Sequence, residues 1–197
     1  MYKFDGNGLL LVARQPQPAA QARVTELSEE ALLVQAVRQG EQEAFAKLYG
    51  LYAPMVHGIL LARVPWGEVD DLLQDVFLVA FKKLNSLRDD AAFGGWLAMI
   101  ARNRAMDFHR RKRDTEELSD DLPAQGSSES DREAANVLDV ICALPEAYRE
   151  TLVLRLVEGM TGPEIADRTG LTAASVRVNL HRGMKLLREK LGMEERL

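Results

Sequence analysis

Residues 144–191 constrain the fold more than any other stretch, because the ends of two consecutive helices are written into them. Thr161 and Glu164 stand at capping-box spacing, so a hydroxyl and a carboxylate can each satisfy a free backbone N–H at a helix start. Pro163 suits the first turn, where its missing N–H is not needed. Gly170 follows Ile165-Ala166 closely and supplies the φ > 0 conformation that ends this short helix. Thr172 then caps a second helix running through Lys190. Val176, Leu180, Gly183, Leu187 and Leu191 recur at three- and four-residue spacing and form one buried face. Arg177, His181, Lys185 and Arg188 step along an adjoining face. A helix-turn-helix entering a major groove fits this pattern. An ordinary helical hairpin with a solvated basic face fits it too.

The remainder also reads as helix. With 197 residues, 47% of them hydrophobic and only 6% aromatic, the chain suits one or two small helical domains better than a sheet-rich fold. The single cysteine, Cys142, excludes an internal disulfide framework and sits on an apolar helix face as a small hydrophobe. No run of about 18 apolar residues predicts a membrane span. Leu9-Leu10-Leu11-Val12 is too short for a signal-peptide core. The expected location is cytoplasmic, without membrane insertion.

A net charge of −5 argues against a nucleic-acid partner only if charge is spread evenly, and it is not. Residues 102–113 hold six bases (Arg102, Arg104, Arg110, Arg111, Lys112, Arg113) against Asp107 alone. Residues 114–133 hold eight acids against Arg132 alone. A basic helix end therefore abuts an acidic tract.

Along the chain, residues 1–26 lack periodicity and read as a disordered extension. Ser28-Glu29-Glu30 opens a helix ending near Gly40. A second, from about Glu41 to Ala62, places Phe45, Leu48, Tyr49, Tyr52, Val56, Ile59 and Leu60 on one side, with Pro54 expected to kink it. After the Val64–Gly67 turn, Glu68 to Leu84 directs Leu72, Val76, Val79 and Leu84 inward. Asp70, Asp71, Gln74 and Asp75 form an acidic outer patch, which the residues alone favour as a solvated helix start. Residues 85–92 read as a loop. The next helix turns Phe93, Leu97, Ile100, Ala101 and Phe108 inward and leaves Arg102, Asn103, Asp107 and Arg110–Arg113 outward. Four consecutive bases exceed what a helix C-terminus needs, so phosphate contact is as good an account as dipole capping. Residues 114–131, with Pro123, Gly126, Ser127, Ser128 and Ser130, read as a flexible acidic linker separating two small cores. From Arg132 the helical pattern resumes, broken at Pro145, and a helix with Tyr148, Leu152, Val153, Leu156 and Val157 supports the capped pair. The fold class is all-α: two small helical domains, 27–113 and 132–197, joined by that linker.

Both halves of the chain resemble one family. Val69-Asp70-Asp71-Leu72-Leu73-Gln74-Asp75-Val76-Phe77 resembles the segment of bacterial sigma factors that docks on the clamp helices of the RNA polymerase β′ subunit. Phe93…Trp96-Leu97…Ile100-Ala101-Arg102-Asn103…Asp107…Arg110-Arg111 resembles their promoter-melting, −10-reading helix. Leu144-Pro145…Arg149…Leu152…Leu154, then Glu164-Ile165-Ala166…Gly170-Leu171…Ser175-Val176-Arg177…Leu180-His181-Arg182, is similar to their −35-reading domain. The order and the linker match the two-domain extracytoplasmic-function (ECF) group of the sigma-70 family.

The resemblance implies an accessory of core RNA polymerase rather than an enzyme, restrained by an anti-sigma factor. It turns the acidic patch from a solvated face into a partner surface. The implied polymerase-binding residues are Asp70, Asp71, Gln74, Asp75 and Phe77. Those for the −10 element and melting are Trp96, Arg102, Asn103, Asp107, Arg110, Arg111, Lys112 and Arg113. Those for the −35 element are Thr172, Ser175, Arg177, Asn179, His181, Arg182 and Lys185. Three departures stand out: Val178-Asn179 after Arg177, a soft Gly94-Gly95 at the start of the melting helix, and the extension 1–26, which has no counterpart in the minimal pattern. With His57, His109 and His181 far apart, no catalytic or metal constellation is expected, and no cofactor. The competing reading is a helix-turn-helix repressor or response-regulator output domain fused to an unrelated helical sensor.

Overall fold

The computed structural model describes residues 29–115 and 129–192. Among these residues every secondary-structure element is a helix, and there are no strands. The first half supplies α1 (Glu29–Arg38), α2 (Gln42–Leu61), α3 (Val69–Lys83) and α4 (Phe93–Thr115). The second supplies α5 (Glu129–Cys142), α6 (Glu146–Leu156), α7 (Gly162–Thr169) and α8 (Ala173–Lys190). The extension 1–26 lies outside the described residues. Most of the 114–131 linker does too, although α4 and α5 each reach a short way into it.

α2 is the central helix. It continues through Pro54 to Leu61, and Tyr52, Met55, Val56, Ile59, Leu60 and Leu61 are all buried. Among the described residues it alone is long and apolar enough to cross a membrane. That is more than the sequence suggested, and the reason is packing. Its apolar surface is covered by α1, α3 and α4 from its own half and by α6 and α7 from the other. Arg38 at the end of α1 bonds the carbonyls of Leu84 and Leu87 and pairs with Asp90 at 2.6 Å. Those contacts fix the segment that leads into α4.

The two cores expected to be separate form one continuous cluster. Leu48, Met55, Val56, Ile59 and Leu97 belong to it with Leu144, Leu152, Leu154 and Ile165 of the second half. Glycines allow the approach. A methyl group on Gly58 would sit 2.8 Å from Leu154 Cδ2, and one on Gly94 2.7 Å from the Arg168 carbonyl oxygen. The apparent softness of Gly94-Gly95 is thus a place where the backbone of α7 rests on α4.

Candidate nucleic-acid interface

The capped pair folds as its residues dictate. Thr161 Oγ1 accepts from the Glu164 N–H, and Glu164 Oε2 accepts from the Thr161 N–H at 2.8 Å, closing the capping box at the start of α7. The Thr161 N–H and, at 2.7 Å, the Thr161 hydroxyl both donate to Glu164 Oε2 and hold its carboxyl below its ordinary range. Gly170, at φ 74°, ends α7. Thr172 Oγ1 accepts from the Ser175 N–H at 3.1 Å and opens α8. Val176, Gly183 and Leu187 bury one face of α8, largely on α6. Thr172, Ser175, Arg177, His181, Arg182 and Lys185 are all exposed, while Asn179 is half-buried. The second helix of the pair therefore presents a row of bases to water.

On α3 the side chains of Asp70, Asp71, Gln74 and Asp75 are exposed. Phe77 is not. It is 4% exposed, its ring centroid 4.5 Å from that of Tyr49, so it belongs to the inner face and cannot itself touch a partner. The inward set is Val69, Leu73, Val76, Phe77 and Ala80, with Leu72 and Val79 only half-buried. The apolar residues that do reach solvent beside the acids are Leu78 and Phe81. Their spacing from Asp71, Gln74 and Asp75 continues one helical stripe, a signal that the sequence itself carries.

On α4, Asn103, Arg110, Arg111 and Arg113 are exposed, and Lys112 is half-buried. Asp107 pairs with Arg110 at 3.0 Å. Trp96 is half-buried beside Phe93, with ring centroids 6.0 Å apart. Met99 and Met106 are exposed, extending the outer row marked by Asn103. A cleft of ≈ 640 Å³ runs between the halves, lined among others by Arg63, His109, Arg110, Arg113 and Arg149.

Arg102 departs from expectation. Instead of facing outward it crosses to Glu150 of α6, donating from Nε at 3.1 Å and Nη2 at 2.7 Å. Arg63 Nη2 meets the same carboxylate at 2.7 Å. Burial alone would push the Glu150 carboxyl up, yet the hydrogen bonds and charges of Arg102 and Arg63 prevail and hold it below its ordinary value. Nearby, Arg168 donates to the Leu51 carbonyl at 3.0 Å. Cys142 is half-buried, its Sγ 3.7 Å from the Leu61 carbonyl, and burial pushes its thiol up.

A second polar bridge joins His57 of α2 to Glu158, with Nδ1 donating to Oε1 at 2.6 Å. That hydrogen bond, opposed by burial and aided by the charges of Glu158 and Asp70, raises the imidazole above its ordinary 6.5. The Trp66 ring also faces it edge-on, with centroids 6.4 Å apart. A raised histidine stabilises the fold fully below its unfolded pKa, and the contribution is lost as pH rises through the folded one. The denaturation midpoint should therefore fall from pH 6 into the alkaline range, and His57→Gln should flatten that slope. An unchanged slope in urea titrations would exclude the bridge as its source.

The fold defines a helix-turn-helix protein of two docked helical domains. The models of Sigma-70 region 2 and of Sigma-70, region 4 match residues 48–115 and 134–187. RNA polymerase sigma factor CarQ of Myxococcus xanthus is 34% identical over 162 residues, covering 79% of this chain and 93% of that protein. The ECF RNA polymerase sigma-E factor of Escherichia coli K12 is 29% identical, covering 85% and 97%. Among solved structures, CnrH in complex with the cytosolic domain of CnrY superposes with a TM-score of 0.60 at 25% identity, covering 84% of this chain and 99% of that one. The chain belongs to the sigma-70 family of RNA polymerase sigma factors, in the ECF group. Sigma factors regulate transcription rather than catalyse a reaction. The match of the first half to region 2 supports the sigma-factor reading rather than the repressor one.

Proposed function

We propose that this protein carries core RNA polymerase to promoters and helps open them, with its two domains reading two elements. The observation that carries the reading is the pairing, in one chain, of a basic exposed α8 with an acidic, apolar-edged α3. In the 132–197 domain, Arg177, His181, Arg182 and Lys185 meet the −35 duplex in the major groove, with Thr172, Ser175 and Asn179 at its edge. In the 27–113 domain, Asp70, Asp71, Gln74 and Asp75 engage the clamp helices, and Leu78 and Phe81 add apolar contact. On α4, Trp96, Asn103 and Asp107 face the −10 region, and the bases Arg110–Arg113 meet phosphates. Aromatic stacking offsets the few kcal/mol needed to unstack a base.

CnrH has been solved bound to a cytosolic partner domain. An anti-sigma factor is the corresponding partner here, and work on polymerase places the protein in the cytoplasm.

The test is initiation by core polymerase supplied with the purified chain, mapped across promoters. Arg177 lies in the first turns of α8, where base edges are reached. Arg177→Ala should cost about 1–3 kcal/mol and relax preference at one −35 position. A uniform loss across all upstream sequences would make it a phosphate contact instead. Failure of the native chain to support any specific initiation would reject the function.

A further inference from the structure

We propose that Glu150 is an intramolecular latch: by occupying Arg102 and Arg63 it holds the two domains in a docked form closed to promoter DNA. The occlusion of DNA rests on the function proposed above; the latch itself does not.

Glu150 is 5% exposed, and its two carboxylate oxygens receive Arg102 through Nε and Nη2 and Arg63 through Nη2, at 2.7–3.1 Å. Both arginines come from the first half and the carboxylate from the second. A carboxylate between two guanidiniums offers the same bidentate acceptor geometry as a phosphate. Arg102, one of the residues that the family resemblance places on promoter DNA, is thus satisfied internally. Arg102 also donates to the Thr169 carbonyl at 3.4 Å, and Arg168 reaches back to Leu51, so the clasp runs both ways.

The glycines point the same way. A glycine inside a helix costs roughly 0.5–1 kcal/mol relative to alanine. A Cβ added to Gly95 would meet only Gly170 of the other half within 4 Å, and the three atoms nearest to one added to Gly58 all belong to Leu154 and Glu158. At Gly95 no side chain of its own domain comes within 4 Å of that position to require a bare backbone. The docked seam does.

Docking also narrows access to the reading helix. Ser175 and Asn179 of α8 line one cleft with Arg63, Arg102 and Glu150. The N-terminal turns of α8 therefore face the first half on that side. A polar, ion-paired centre is the character of interfaces that separate reversibly. On opening, Glu150 returns to water and the arginines become free for DNA phosphates.

Solution scattering on the full chain tests this, with Glu150→Gln and Arg102→Gln removing the latch from either side and Gly95→Leu wedging the seam without touching it. The native chain should scatter as a docked pair, and all three variants should show a larger radius of gyration with helical content retained. If docking holds nine chains in ten closed, Glu150→Gln and Gly95→Leu should bind a random-sequence duplex up to about tenfold more tightly. A native chain already separated, or Glu150→Gln and Arg102→Gln variants as compact as the native, overturns the latch. Should Glu150→Gln fail to fold, Arg102→Gln alone decides, since Arg102 is half-exposed. Expansion without tighter duplex binding overturns the occlusion and leaves the latch standing. Loss of specific initiation with the scattering result intact would instead reject the sigma-factor roles.

Discussion

Reversing Asp71 and Asp75 to lysine together should abolish promoter-directed initiation while leaving thermal unfolding of the chain unchanged. Both side chains stand in water on the outer face of α3, and the buried face of that helix, from Val69 to Ala80, is untouched by the change. Surface substitutions of this kind alter stability by no more than about 0.5 kcal/mol. Against a basic partner surface they turn two attractions into two repulsions, and like charges facing each other across an interface cost several kcal/mol. A loss on the order of 3 kcal/mol is about 100-fold in affinity, enough to remove the chain from core polymerase at working concentrations. Leu78→Ala with Phe81→Ala should weaken the same association without the salt dependence, because it removes apolar contact rather than charge. A pull-down in which the double lysine variant holds core polymerase as tightly as the native chain would remove α3 from the polymerase interface.

What could be read from the residues alone follows how local each signal is. The capping box of Thr161 and Glu164, the stop at Gly170 and the cap at Thr172 act within three residues, and α7 and α8 begin and end where they say. The inward face of α3 was harder to phase. Leu72, Leu78, Val79 and Phe81 carry apolar character well round the helix, so two phases of the 3.6-residue period compete. Only packing on Tyr49 and its neighbours selects the one that buries Phe77.

Arg102 had no local signal at all. Its partner lies 48 residues away, and a basic residue on a helix reads as outward until a buried carboxylate is known to meet it. Gly94-Gly95 carried the information in a form that one chain cannot decode, because softness at a helix start and a bare surface for another helix look alike. The seam between domains was therefore the least legible part of the fold. It is also where the reading of the linker as a separator of two cores gave way to one continuous cluster.

Leu152→Ala should be the most destabilising single change in the second half. Leu152 is fully buried on α6 and packs over Gly183 of α8. Removing its isobutyl group loses transfer free energy and leaves a cavity between two helices already in contact, for about 2–5 kcal/mol. Against a total stability of about 5–15 kcal/mol that is a large share, so the denaturation midpoint should fall sharply and duplex binding by α8 with it. Gly183→Ala attacks the same contact from the other side. Its methyl group would lie 3.0 Å from Leu152 Cδ1 and 3.1 Å from both Leu152 Cγ and Tyr148 Cβ, tighter than ordinary packing. Overpacking of this kind costs about 1–3 kcal/mol, minus the gain from replacing a helical glycine. In the double variant the new methyl enters space that Leu152 has vacated. The two costs should then fall short of their sum by about 0.5–3 kcal/mol, the range found for residues in contact. Urea denaturation of the four proteins closes the cycle. Costs that add within about 0.5 kcal/mol would mean that Gly183 is not bare on account of Leu152, and that α6 and α8 are held together elsewhere along their length.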